Sequence, residues 1–274
     1  MSPSPQIHPN SRGLIIPIGG AEEKEGNPSI LRRFVQECGG EDARIAVIPT
    51  ASRLEDTGER YVRIFKRLGA GEAFSLEYRE RSDTNNPEMM EQLLSATGIF
   101  MTGGNQLRLS TILGGTDVAV HIRRMNARGI HVGGTSAGAA FCSEHMIAYG
   151  SSDSSPKAGS VQLAPGLGLT NCVLVDQHFR QRDRLSRLMT ALAYNPFVIG
   201  LGLDEDTGAF LNAQDVVEVV GSGAITIVDV SNLEYSGIAT TPEDQPVNLI
   251  GVKLHILTEG ATYNLRTHEA TPPE

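Results

Sequence analysis

The stretch IHVGGTSAGAAFC, residues 130–142, decides the fold. Its first five residues read as a short apolar strand. Gly134-Thr135-Ser136-Ala137-Gly138 then makes a tight turn, and Ala139 to Cys142 open a helix. A serine in a G-x-S-x-G turn between strand and helix has its hydroxyl exposed at the sheet's end, so the turn reads as a nucleophile elbow. It requires a parallel sheet around it. Apolar runs at 13–20, 43–49, 73–78, 98–102, 172–175 and 198–203 supply the strands, and helical spacing at 29–38, 58–68, 86–95, 117–127 and 180–192 supplies the covering layers. Continuous apolar strands separated by helices are expected when a parallel sheet is buried on both faces. Beyond residue 209 only strand-like runs remain, at 216–220, 224–230 and 252–257, and these are expected as antiparallel additions at the sheet edge. The stretch 149–169 is rich in Gly, Ser and Pro and lacks periodicity, which predicts a lid or an excursion around the site. With no repeat and no linker, the expected organisation is one catalytic α/β domain over 13–266. A flexible arm over 1–12 and a tail over 267–274 flank it.

Composition narrows the function. The 274 residues carry 23 Lys plus Arg against 32 Asp plus Glu, a net charge of -9. Neutralising phosphates takes a basic surface, so general nucleic-acid binding is not expected. No apolar run is long enough to span a bilayer, and the start MSPSPQIHPNSRG has no apolar signal region. Three cysteines without CxxC spacing suit reduced thiols, so the expected setting is cytoplasmic.

A serine nucleophile needs a base and an oxyanion site. The N–H of Ala137, at the helix start, is one candidate donor. Gly103-Gly104 ends another strand at the same edge, and the N–H of Gly104 is a second. Of seven histidines, His178 follows the strand 172–175 and so falls at the carboxyl edge with Ser136. The acid that orients it is open among Asp176, Asp204, Glu205 and Asp206. A metal reading of Asp176 and His178 with Cys142 and His145 lacks recognisable ligand spacing, so no metal or cofactor is expected. Arg180, Arg182, Arg184 and Arg187 crowd the start of a predicted helix, where cations oppose the helix dipole. Their forks suit carboxylate recognition, or pairing with nearby acids.

GTSAG (134–138), FMTGGNQLR (100–108), DQHFRQRDRLSRL (176–188) and GLGLDEDTG (200–208) together closely resemble the cyanophycinases. That group shares peptidase family S51 with aspartyl dipeptidase (peptidase E). The resemblance implies a fold similar to class I glutamine amidotransferases and a triad of Ser136, His178 and Glu205. It implies Gly104 and Ala137 as oxyanion donors, and a substrate pocket of Gln106, Asp176, Gln177, Arg182, Arg184 and Arg187. It also implies a homodimer and exopeptidase action on cyanophycin, a poly-aspartate bearing arginine on each β-carboxyl, with β-Asp-Arg dipeptides released. Asp176 or another acid is expected to hold a substrate guanidinium. The competing readings are a dipeptidase acting on aspartyl or isoaspartyl peptides and a catalytically silent binding protein of the same fold.

Overall fold

The computed structural model describes residues 3–6, 8 and 10–273. In chain order the strands are β1 (Ile15–Ile18), β2 (Arg44–Ile48), β3 (Glu72–Ser75), β4 (Gly98–Met101), β5 (His131–Thr135), β6 (His145–Gly150), β7 (Val161–Pro165), β8 (Val173–Gln177) and β9 (Ile199–Leu203). There follow β10 (Thr207–Leu211), β11 (Val216–Gly221), β12 (Ile225–Asp229), β13 (Tyr235–Ser236), β14 (Leu249–Ile250), β15 (Lys253–Leu257), β16 (Thr262–Asn264) and β17 (Glu269–Thr271). The α-helices are α1 (Ser29–Glu37), α2 (Thr57–Arg67), α3 (Pro87–Leu94), α4 (Gln106–Leu113), α5 (Asp117–Ala127), α6 (Ala137–Phe141) and α7 (Leu185–Tyr194).

The described residues form a nine-stranded sheet in the order β17-β16-β11-β10-β1-β5-β4-β2-β3. From β1 to β3 all pairings are parallel, and from β10 to β17 all are antiparallel. Side chains alternate across each strand, and here both faces are apolar. Ile16, Ile18, Ile45, Val47 and Phe100 pack with Phe34 of α1 and Phe65 of α2. Ile15, Ala46, Ile48, Ile99 and Val132 pack with Leu109 of α4, Ile122 of α5 and Ala139 of α6. The expected α/β architecture with antiparallel edge strands is present, but of the runs expected at that edge only 216–220 joins this sheet, as β11; 224–230 and 252–257 become β12 and β15 of another sheet.

Three further expectations need correction. Residues 172–175 and 198–203 do not continue the main sheet. They become β8 and β9, parallel partners in a second sheet of order β15-β12-β9-β8. Both strands are fully buried, so their apolar runs look the same whichever sheet receives them. The stretch 149–169, read as an aperiodic lid or excursion around the site, carries regular structure: it holds the end of β6 and all of β7, which pair as an antiparallel hairpin. The helix expected from 180 begins at Leu185. Ahead of it lies a 3-10 turn, Arg180–Arg182, and Asp183 at φ 49° breaks the path between them.

At the termini, residues 1, 2, 7 and 9 of the expected arm lie outside the described residues. Ser11 Oγ donates to Ala127 O at 3.1 Å and Arg12 Nη1 to Asn126 Oδ1 at 3.0 Å, which ties the end of the arm to α5. Within the stretch expected as a tail, Glu269–Thr271 supplies the edge strand β17.

Candidate active site

Strands β1, β4, β5, β8 and β9 all deliver their carboxyl ends to one place, the position where ligands bind in open α/β sheets. Ser136 follows β5 with φ 52° and ψ −108°, outside the usual regions for a residue with a side chain. Such strain persists only where the surroundings over-determine it. Its N–H donates to Ile18 O at 2.9 Å. Gly134 and Gly138 permit the sharp turn, since a Cβ on Gly134 would stand 2.5 Å from the Gly138 carbonyl carbon.

His178 follows β8, also at positive φ, and its N–H donates to Gly19 O at 2.8 Å. Gly19 N–H in turn donates to Thr207 O at 2.8 Å, and Asp206 N–H donates to Gly20 O at 2.9 Å. The end of β1 thus clamps the second sheet, with β8 and the β9–β10 turn, onto the first. Ser136 Oγ lies 2.9 Å from His178 Nε2, and His178 Nδ1 lies 2.7 Å from Glu205 Oε1. These distances suit a nucleophile, a base and an orienting acid.

The other three acids have different work. Asp204 accepts from the N–H groups of Arg180 (3.1 Å) and Ala224 (3.3 Å). Asp206 accepts from Glu23 N–H (2.8 Å) and Ser222 Oγ (2.7 Å). Asp176 is bound by arginines. Only Glu205 of the four reaches the imidazole.

Burial is the largest influence on His178 and holds its pKa below the ordinary histidine value. The Glu205 hydrogen bond opposes this, while Arg182 and Arg184 add to it. The ring is therefore neutral at pH 7, the form that accepts a proton from serine. Gly104 sits at φ 144°, and a Cβ there would stand 2.1 Å from Ala51 O, so only glycine fits. Among the described residues its N–H makes no hydrogen bond. The N–H of Ala137, in the first position of α6, has no partner within the helix.

The arginine cluster divides. Asp176 is 1% exposed and is held by Arg187, through Nε at 2.7 Å and also through Nη2, and by Arg184 Nη1 at 3.3 Å. Arg184 also donates to both oxygens of Gln177. Arg184 and Arg187 are themselves buried. Burial pulls the Arg184 pKa down to about 10, which still leaves it charged at neutral pH, and its Nε is buried without a partner. The expectation that Asp176 takes a substrate guanidinium is therefore corrected, because both of its oxygens are occupied within the chain. Two arginines around one carboxylate leave this wall with one excess positive charge. Arg182 is exposed. Gln106 Nε2 donates to Ile147 O (3.0 Å) and Ala148 O (3.1 Å), anchoring the β6–β7 hairpin.

The metal reading finds no support in this geometry. His178 is bound on both nitrogens, Asp176 is bound by arginines, and Cys142 Sγ donates to Gly138 O within the core. Among the described residues no three His, Cys, Asp or Glu side chains converge on a point that could hold a metal.

Sequence reasoning missed Glu22, buried beside β5. Its Oε2 accepts from Thr135 Oγ1 at 2.6 Å, one residue before Ser136, and its Oε1 accepts from the Tyr61 hydroxyl. A lone acid after a glycine turn gives no periodic signal. The Gly19-Gly20 pair was the only available hint.

The family model for peptidase family S51 matches residues 14–219. A cyanophycinase of Synechococcus elongatus is 44% identical over 264 residues, covering 96% of this chain and 82% of its own. One from Geminocystis herdmanii is 44% identical over 261 residues, covering 94% and 96%. One from Trichormus variabilis is 40% identical over 265 residues, covering 96% and 89%. Among solved structures, a peptidase from an acI-B1 actinobacterium superposes with a TM-score of 0.68 at 22% identity, over 94% of this chain and 98% of its own. A putative peptidase E protein from Listeria monocytogenes gives 0.54 at 18% identity, over 77% and 100%. At those identities the structures speak for the fold alone.

Proposed function

The chain belongs to peptidase family S51, and from that premise we propose that it hydrolyses cyanophycin to β-Asp-Arg dipeptides as a serine-type exopeptidase. The observation that carries the reading is the unbroken relay from Ser136 through His178 to Glu205. The full-length similarity to proteins named cyanophycinase supplies the substrate.

In this reading Ser136 Oγ attacks the carbonyl carbon of a backbone peptide bond as His178 Nε2 takes the hydroxyl proton. Glu205 accepts from Nδ1–H, fixes the tautomer and stabilises the imidazolium. The N–H groups of Gly104 and Ala137 receive the oxyanion; one such donor typically lowers the barrier by about 2.7–4 kcal/mol. The C–N bond breaks, His178 returns the proton to the leaving amine, and a serine ester remains. Water, deprotonated by His178, attacks that ester. The acid is released and the serine hydroxyl restored, so bonds and protons balance over one hydrolysis.

Arg182 and the excess charge of the Arg184–Asp176–Arg187 cluster attract substrate carboxylates, with Asp176 positioning its arginines. Gln177 and Gln106 complete the wall. The protein acts as a homodimer in the cytoplasm and takes no nucleic acid. Light scattering at about twice 29.4 kDa tests the dimer, and EDTA should leave the activity unchanged. Incubation with insoluble cyanophycin tests the main reading. Clearing with β-Asp-Arg identified by mass is expected, and folded protein that leaves the suspension turbid refutes it.

A further inference from the structure

Ser136 stands beside a cleft that the relay does not use. Gly103 and Gly104 form its near wall; a Cβ on Gly103 would lie 3.3 Å from Ser136 Cβ. From there the cleft follows the loop after β2, past Lys24, Arg53 and Arg60, and encloses about 750 Å³. Ser52, Arg53 and Leu54 also line a second hollow of about 350 Å³, which ends at Glu77 and Arg108. The two hollows therefore share one loop as their common wall, and each has the size of a small-molecule site.

The charged groups here differ from those of the buried arginine cluster. Lys24 is held by the Glu22 carboxylate at 3.2 Å, and Arg108 Nε donates to Thr50 O at 3.0 Å. Arg53 and Arg60, by contrast, are exposed, and among the described residues neither forms an ion pair or a side-chain hydrogen bond. The same holds for Glu55 and Asp56 between them. A run of unpartnered groups of both signs, opening beside the nucleophile, fits a ligand that repeats both signs. Each unit of the polymer presents the free α-carboxylate and the guanidinium of its arginine. Guanidinium forks suit carboxylates, and carboxylates accept guanidinium N–H groups.

We propose that this cleft and the hollow beside it bind the polymer units lying beyond the two joined by the scissile bond, with Arg53 and Arg60 on arginine α-carboxylates and with Asp56 in the cleft and Glu55 in the hollow on guanidiniums. The inference rests on cyanophycin being the substrate. It makes the cleft a chain-length sensor: long chains engage it, whereas the shortest cleavable chain does not reach it.

The test compares the wild-type protein with Arg53→Ala/Arg60→Ala on two substrates, a two-unit (β-Asp-Arg)2 chain and a soluble polymer of about ten units. The double variant should raise KM for the long chain about tenfold, the scale of two exposed charge contacts. It should leave kcat, and kcat/KM for the two-unit chain, unchanged. Arg60→Glu should raise KM for the long chain further. An unchanged KM for the long chain, or an equal loss on both chains, overturns the inference. Wild-type protein that cleaves neither substrate overturns the functional reading and this inference with it, which sets the two failures apart.

Discussion

Substituting Gly20 by Ala tests whether the relay depends on how the end of β1 clamps the two sheets. Gly20 has φ +100°, and a Cβ there would stand 2.3 Å from His178 Cε1 and 2.6 Å from Nε2. Carbon atoms in contact settle at about 3.5–4.0 Å, so the ring must retreat by about 1 Å or more. A displacement of that size lengthens the 2.9 Å contact with Ser136 and costs roughly a hundredfold in turnover. The positive φ adds a backbone penalty of roughly 1–3 kcal/mol, a few degrees in Tm. Gly69 separates the two effects, because it has φ +97° with nothing within 4 Å of its added Cβ. Gly69→Ala should therefore lower Tm to a similar extent and keep full activity. Steady-state kinetics on a soluble substrate, with thermal unfolding of both variants, reads the outcome. Wild-type kcat/KM in Gly20→Ala, or an equal loss in Gly69→Ala, would refute the reasoning.

Three further outcomes follow from the same geometry. Glu205→Gln should lower kcat by on the order of 10³–10⁴, whereas Asp206→Asn, whose partners are Glu23 and Ser222, should cost far less; the reverse order in kinetics would reassign the acid. The lowered pKa of His178 keeps the ring neutral to lower pH, so the acid limb of kcat/KM should fall below the ordinary histidine value. Arg182→Ala removes a cation that disfavours imidazolium and should move that limb to higher pH, while Glu205→Gln should move it lower. Asp176→Asn leaves Arg184 and Arg187 buried without their carboxylate, and should cost about 3–5 kcal/mol of stability in a denaturant titration.

The elbow was legible in the sequence because it is local: one strand, one turn and one helix start are contiguous in GTSAG and its flanks. His178 was legible by position, since it follows an apolar run and must fall at a strand's carboxyl end. The acid was not legible from spacing alone. Asp204, Glu205 and Asp206 are adjacent, and only the turn between β9 and β10 decides which carboxylate faces the imidazole. The second sheet was hidden for a related reason. A strand buried on both faces has no alternation, so its residues do not say which sheet receives it. The arginines misled in a different way. Four cations at an expected helix start break a local electrostatic rule. Their division into a buried pair around Asp176 and an exposed Arg182 depends on the kink at Asp183, where a non-glycine residue takes a positive φ that no sequence pattern announces.

The central claim is that Ser136 performs the hydrolysis of cyanophycin. Its most direct test is Ser136→Ala mixed with the insoluble polymer, with the pellet and the released dipeptide both measured against wild type. The folded variant should sediment with the polymer yet release no β-Asp-Arg. Dipeptide released at the wild-type rate would contradict it.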